Sequence, residues 1–315
     1  MDSTLMKYKP GKLYLTDGGL ETTLIFKNGY DLPCFAAFHL LKSDDGYDAL
    51  RKYFIRYLEI AKKYSTGFVL ESPTWRASRD WLIKIGYGEN EVHEINKAAV
   101  KLLTDLKDEY SSVLDDIIIS GCIGPRGDGY RVDDAMTVQE AANYHLEQAK
   151  ALALAGVDMI TAITMNYLEE AEGIVAAANS VNVPVIISFT VETDGKLPTG
   201  MSLKEAIETI EKRSQVPPVY YMINCAHPEH FEEVLRKNAA DKWTGRIRGI
   251  RANASCKSHA ELDNSTDLDR GNPRELGIAH RHLKEDLTQL NVFGGCCGTD
   301  EEHIDEIAKN IARYY

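Results

Sequence analysis

Apolar positions along the chain follow two alternating rhythms. Short runs rich in β-branched and aliphatic residues recur at "LYLTDGG" (13–19), "GFVLES" (67–72), "IIISGCIG" (117–124) and "VDMITAIT" (157–164). They continue at "PVIISFTV" (184–191), "VYYMINCA" (219–226), "RIRGIRANA" (246–254) and "NVFGGCCG" (291–298). Gly, Pro or Asp bounds most of them, which predicts eight strands. Between them, "ALRKYFIRYLEIAKKY", "EVHEINKAAVKLLTDL", "TVQEAANYHLEQAKALALAG" and "LKEAIETIEKR" space their apolar residues three and four apart, the period of a helix with one buried face. Gly156 is placed to end the third of these helices, and Thr137 and Ser202 to cap the third and fourth.

Strands alternating with helices, each strand apolar on both faces, predict a closed parallel (β/α)8 barrel of the TIM type, a single α/β domain over residues 1–315. An open doubly wound sheet is the competing architecture. It lacks support, because no G-x-G-x-x-G turn opens a strand-to-helix connection.

Composition narrows the function. The chain has 315 residues, 44% hydrophobic and 27% charged, which is the profile of a globular protein. A formal charge of −12 with scattered Lys and Arg argues against nucleic acid as a partner. The start "MDSTLMKYKPGKLYL" has no signal-peptide core, and no apolar run is long enough to span a membrane, so a cytoplasmic location is expected. Six cysteines are too few for a disulfide scaffold and are expected as thiols in a reducing compartment.

In such a barrel the chemistry sits at the C-terminal strand ends. The polar residues there are Asp17, Glu71, Cys122, Glu192, Cys225, Asn253, Cys296 and Cys297. Cys225 ends the sixth strand and the adjacent pair Cys296/Cys297 ends the eighth, so three thiols could converge on one mouth although 71 residues separate Cys225 from the pair. Thiolate is a soft ligand, and three of them with one open position describe a catalytic zinc site. Neighbouring strand residues point to opposite faces, so both cysteines of the pair face inward only if the strand breaks; Gly294, Gly295 and Gly298 are expected to supply unusual backbone angles for that break. Cys34, Cys122 and Cys256 are read as packing residues, the vicinal pair as a ligand pair or, in an oxidising setting, a vicinal disulfide. In "CAHPEHF", His227 precedes a helix-starting Pro228 and reads as a cap rather than a ligand, and His230 is not assigned to the metal.

"TDGG", "NCAHP" and "GGCCGT" together resemble the homocysteine S-methyltransferase family over nearly the whole chain. The resemblance implies a barrel that binds Zn²⁺ through Cys225, Cys296 and Cys297, with a small-molecule thiol acceptor at the open position and an activated methyl donor opposite. It implies that Asp17 holds the amino group of an amino-acid acceptor, with Gly18 and Gly19 allowing close approach. Homocysteine is the expected acceptor and methionine the product. The chain departs from the family pattern at the fourth strand, where an acid-Thr pair is usual and Ile163-Thr164 stands instead. Glu71 and Glu192 are acids on other strand ends, read either as compensating for it or as solvated loop carboxylates, and Asn253 is a further candidate contact. Arg126 is either an anion ligand or a salt-bridge partner of Asp128 or Asp133, and Trp75 either faces a cationic donor or packs in the core. Alternatives left open are another thiol or selenol as acceptor, and a non-catalytic protein holding a closed zinc site.

Overall fold

The computed structural model describes residues 8–263, 265 and 267–315. β1 (Tyr14–Leu15), β2 (Gly67–Glu71), β3 (Ile117–Ile123), β4 (Met159–Met165), β5 (Val185–Phe189), β6 (Tyr221–Asn224), β7 (Ile247–Ala252) and β8 (Val292–Gly295) close in sequence order into one parallel barrel. β8 pairs back onto β1 through Tyr14 opposite Val292 and Leu15 opposite Phe293, which excludes the open sheet. Each strand lies inside one of the predicted runs, except that β4 extends one residue beyond its run, to Met165.

Helices α1 (Asp44–Tyr64), α2 (Val92–Tyr110), α3 (Val138–Ala155), α4 (Leu168–Ser180), α5 (Leu203–Arg213), α6 (Glu232–Lys237), α7 (Pro273–Asp286) and α8 (Glu301–Ile311) follow the strands in turn. Their ends are set locally. Thr137 and Ser202 each accept a backbone N–H three residues on, while Glu140 and Glu205 reach back, forming two reciprocal caps. Gly156 ends α3 at φ 89°, a left-handed angle that suits glycine. No helix among the described residues is long and apolar enough to cross a membrane.

The barrel interior corrects the expectation of strands apolar on both faces. Outward positions such as Leu15, Phe68, Leu70, Ile119, Ile187, Ile223, Ile250 and Phe293 do join the apolar layer beneath the helices. Inward, Tyr14, Val69, Ile118, Met159, Ile186, Met222 and Val292 form a separate apolar plug with Tyr8 and Tyr220. Two residues further along each strand the inward face turns polar, at Thr16, Glu71, Ser120, Thr161, Ser188, Asn224 and Arg251. These groups satisfy one another: Ser120 Oγ meets Thr161 Oγ1 at 2.7 Å, and Ser188 Oγ donates to Asn224 Oδ1 at 2.6 Å. Each aliphatic side chain in the plug stabilises the fold by roughly 1.5–3 kcal/mol. The polar layer gains far less, because its hydrogen bonds mainly replace those to water. Its position at the mouth is what makes a site.

Candidate metal centre and active site

Cys225 follows β6 directly, and its backbone lies at φ 53°, in the left-handed region where a non-glycine residue is rare. The break is held from both sides: Cys225 N–H donates to the Arg251 carbonyl at 3.2 Å, and His259 Nε2 lies 2.6 Å from the Cys225 carbonyl. After β8, Cys296 N–H donates to Ala252 O at 2.8 Å, and Ala254 N–H donates to Cys297 O at 3.0 Å. The three sulfurs consequently lie within 4.8 Å of one another.

The glycines act differently from the sequence expectation. Only Gly298 has a positive φ, at 79°; Gly294 and Gly295 do not. Their need is for space: a Cβ at Gly294 would run into Thr16 Oγ1, and one at Gly295 into Thr299 Oγ1. Gly18 and Gly19 also face protein. A Cβ on Gly18 would lie 2.8 Å from the Tyr57 hydroxyl oxygen, and one on Gly19 2.6 Å from the Cys296 carbonyl oxygen. The β1 loop is therefore packed hard against the cysteine turn.

The Cys225 and Cys296 sulfurs are in close contact, with Cα atoms 5.4 Å apart, and Cys297 lies beside them. The two strand ends bring these sulfurs together across strands rather than within the vicinal pair, so the close pair is Cys225 with Cys296. As thiolates the three sulfurs form a cluster that could hold one ion, and an all-sulfur donor set fits zinc. Each sulfur also has a weak polar partner. Thr164 Oγ1 lies 3.9 Å from Cys225 Sγ, Asn224 Nδ2 lies 4.0 Å from Cys296 Sγ, and Tyr130 Oη lies 3.8 Å from Cys297 Sγ. Asn224 further binds Thr164 through both its Nδ2 and its Oδ1, which fixes two of these donors together. Such outer partners orient ligands and temper their charge.

The sulfurs open onto a cavity of about 390 Å³ that Asp17, Gly18, Gly19, Glu71, Ile163 and Arg251 also line. Asp17 is buried, receiving a hydrogen bond from Tyr53 at 2.9 Å and an ion pair from Arg251 Nη2 at 2.7 Å. Burial raises its pKa, and Arg251 and Tyr53 oppose that rise. Glu71 is pushed up to about 7, mainly by burial, with Arg251 opposing and Asp17 reinforcing the shift. Its Oε2 has no hydrogen-bond partner. Glu21 lines the same cavity and is also raised to about 7, again chiefly by burial.

Glu192 and Asn253 do not line this cavity. Glu192 instead meets His259 Nδ1 at 3.2 Å and reaches the Cys225 carbonyl only through that imidazole. Asn253 is buried, with its N–H donated to Ala226 O at 3.1 Å. Arg126 pairs with Asp80 at 2.8 Å, not with Asp128 or Asp133, because Asp128 is turned to cap the Tyr130 N–H. Trp75 does line the cavity, but the cation on its face is the protein's own Arg76, 3.8 Å from its ring and 3.8 Å from that of Trp81. His227 caps the turn that begins at Pro228, and His230 Nε2 lies 2.9 Å from the Cys256 carbonyl; neither joins the sulfur cluster. Among the packing cysteines, Cys122 is buried as expected, Cys34 is half-buried, and Cys256 is exposed on the loop after β7, where there is no core to fill.

Sequence reasoning missed Arg251, Glu21, Tyr130, Asn224, Thr164 and His259. The alternation of β7 held one signal, since an arginine at an inward strand position needs an acid opposite.

A closed parallel barrel gathers three cysteines that could hold a metal ion at the mouth of a charged cavity, the arrangement of a thiol-dependent enzyme. The chain belongs to the homocysteine S-methyltransferase family, whose model matches residues 14–311, and it is a methyltransferase of that type. It is similar to homocysteine S-methyltransferase 1 of Arabidopsis thaliana, 22% identical over 97% of this chain and 95% of the relative. It is also similar to homocysteine S-methyltransferase YbgG of Bacillus subtilis (strain 168), 26% identical over 71% of this chain and 72% of the relative. Crystal structures of the homocysteine methyltransferase MmuM from Escherichia coli share the fold at 18% identity, with 96% of each chain covered. Their TM-scores are 0.73 for the metallated form and 0.74 for the oxidized form.

Proposed function

We propose that residues 1–315 form one zinc-dependent barrel that transfers a methyl group from an activated donor to homocysteine, giving methionine, in the cytoplasm. The observation that supports this most is the clustering of Cys225, Cys296 and Cys297 within 4.8 Å at the cavity mouth. Those residues would hold the ion. Zinc, when bound, supplies the Lewis acidity that keeps an acceptor thiol deprotonated at neutral pH.

The protein's own groups do the rest. Glu71 presents an unpartnered carboxylate oxygen to the acceptor's ammonium, and Asp17 adds a second acidic surface already shared with Arg251 and Tyr53. An ammonium entering this buried site favours ionised Glu71, so binding releases a proton when the carboxyl is protonated beforehand. Gly18 and Gly19 let the β1 loop close against the cysteine turn, which sets Asp17 beside the sulfurs. Tyr130, Asn224 and Thr164 hold the cysteine sulfurs in place. In the transfer, the acceptor sulfur's lone pair forms the new S–CH3 bond while the donor's bond to that methyl breaks and its electron pair stays on the donor.

The test is a panel of methyl donors with reduced, zinc-loaded protein and homocysteine, read as methionine formed. Methionine with one donor and none from the Cys296→Ser/Cys297→Ser variant is expected. Homocysteine bound but never methylated would favour a non-catalytic zinc protein, and methylation of another thiol in preference would reassign the acceptor.

A further inference from the structure

Arg251 is the cation on the cavity wall nearest the acids Asp17 and Glu71, and none of its chemistry is used by the metal centre. Its side chain is 9% exposed. Nε donates to Gly295 O at 3.2 Å, one residue before Cys296, and Nη2 donates to Asp17 at 2.7 Å. The guanidinium is therefore fixed in plane and in depth relative to the sulfurs. Nη1 has no acceptor among the described residues and is not fully buried. It opens onto the cavity that Arg251 lines.

Burial pulls the guanidinium's pKa down, but Asp17 and Glu71 more than reverse this, so it is charged throughout the working range. Arg251 and Asp17 together are neutral. A ligand with only an ammonium would use Glu71 and leave the remaining donor edge of Arg251 without an acceptor. A zwitterion meets opposite charge at both ends. Arginine presents planar donors suited to carboxylate, and the anchoring at Nε and Nη2 leaves that orientation with little freedom to lose.

We propose that Arg251 is a specificity-determining residue that takes the carboxylate of the acceptor thiol through Nη1, while Glu71 takes its ammonium. This rests on the reading of the site as one for methyl transfer to a thiol. The ligand class is narrowed to short thiols ending in a carboxylate, with the sulfur at the cysteine cluster and the acid at β7.

Three thiols separate the contributions: homocysteine, 4-sulfanylbutanoate, which lacks the amino group, and 3-aminopropane-1-thiol, which lacks the carboxylate. Their affinities for reduced, zinc-loaded protein are measured by calorimetry, with methylated product scored separately. The wild type should bind both carboxylates at least about tenfold more tightly than the aminothiol, as expected for a lost charged hydrogen bond. Arg251→Gln should erase that preference by weakening the two carboxylates without weakening the aminothiol, while Arg251→Lys should retain part of it. Equal wild-type affinity for homocysteine and the aminothiol overturns the proposal, as does an equal loss for all three ligands in Arg251→Gln. If that variant does not fold, the wild-type ranking decides. Absence of methylated product beside a clear ranking counts against the reaction and not against Arg251.

Discussion

The sulfur corner at the ends of β6 and β8 and the charged floor formed by β1, β2 and β7 are built in opposite ways. At the corner, function follows from local backbone: a left-handed Cys225, a turn after β8 and glycines that admit neighbouring chains. At the floor, function follows from register. Asp17 and Arg251 are 234 residues apart and meet only because β7 and β1 both flank β8. Local features survive as motifs in a sequence, whereas register-dependent pairs leave only an isolated acid and an isolated base. Losing a piece of the corner should abolish chemistry; losing a piece of the floor should first cost stability and selectivity.

The largest effect belongs to the corner. Cys225→Ser, Cys296→Ser or Cys297→Ser should lower zinc affinity by more than the ~10–100-fold typical of outer partners. Activity should fall to background, while Cys34→Ser and Cys256→Ser leave both near wild type. Metal content of the reduced proteins checks this, and full retention in any ligand variant would dissolve the corner's distinct status.

Next comes the floor's ion pair. Arg251→Met alone strands Asp17 as a buried charge and should destabilise the fold by about 3–5 kcal/mol. Asp17→Asn with Arg251→Met should recover most of that loss in chemical denaturation. A double variant no better than the single would show that the pair is not a unit.

These two groups of residues also mark what could be read in advance. The eight strands, the caps at Thr137 and Ser202, the stop at Gly156 and the convergence of Cys225 with Cys296 and Cys297 all follow from patterns confined to short stretches. Arg251, Tyr130 and Asn224 did not, since their roles depend on which strand positions face each other and on a loop folding back over the mouth. Glu192 was legible as a strand-end acid, but its direction was not, and it turns toward His259 instead of the cavity.

A smaller effect concerns Glu71 and the pH dependence of stability. Its folded pKa of about 7 lies above the usual carboxyl value near 4.5, so the neutral form is the one the fold favours. That contribution is complete below pH ~4.5 and is lost as pH rises through about 7. The full shift corresponds to about 3 kcal/mol. Glu71→Gln should thus gain stability relative to wild type between pH 5 and 8, seen as a widening difference in thermal midpoint. A constant difference across that range would mean that Glu71 is already ionised or solvated at the floor.

The smallest changes return to the corner. Thr164→Val and Tyr130→Phe each remove one weak donor to a ligand sulfur and should lower zinc affinity by about tenfold, with the fold intact. Competition with a chromophoric chelator would measure it. No change in either variant would confine the corner to its three cysteines.

The most direct measurement is the sulfur coordination of zinc in the reduced protein, read by X-ray absorption with and without homocysteine. Three sulfurs from Cys225, Cys296 and Cys297 should become four when the acceptor thiol binds at the open position. A sulfur count that stays at three with homocysteine bound would contradict activation of the acceptor at the cysteine cluster.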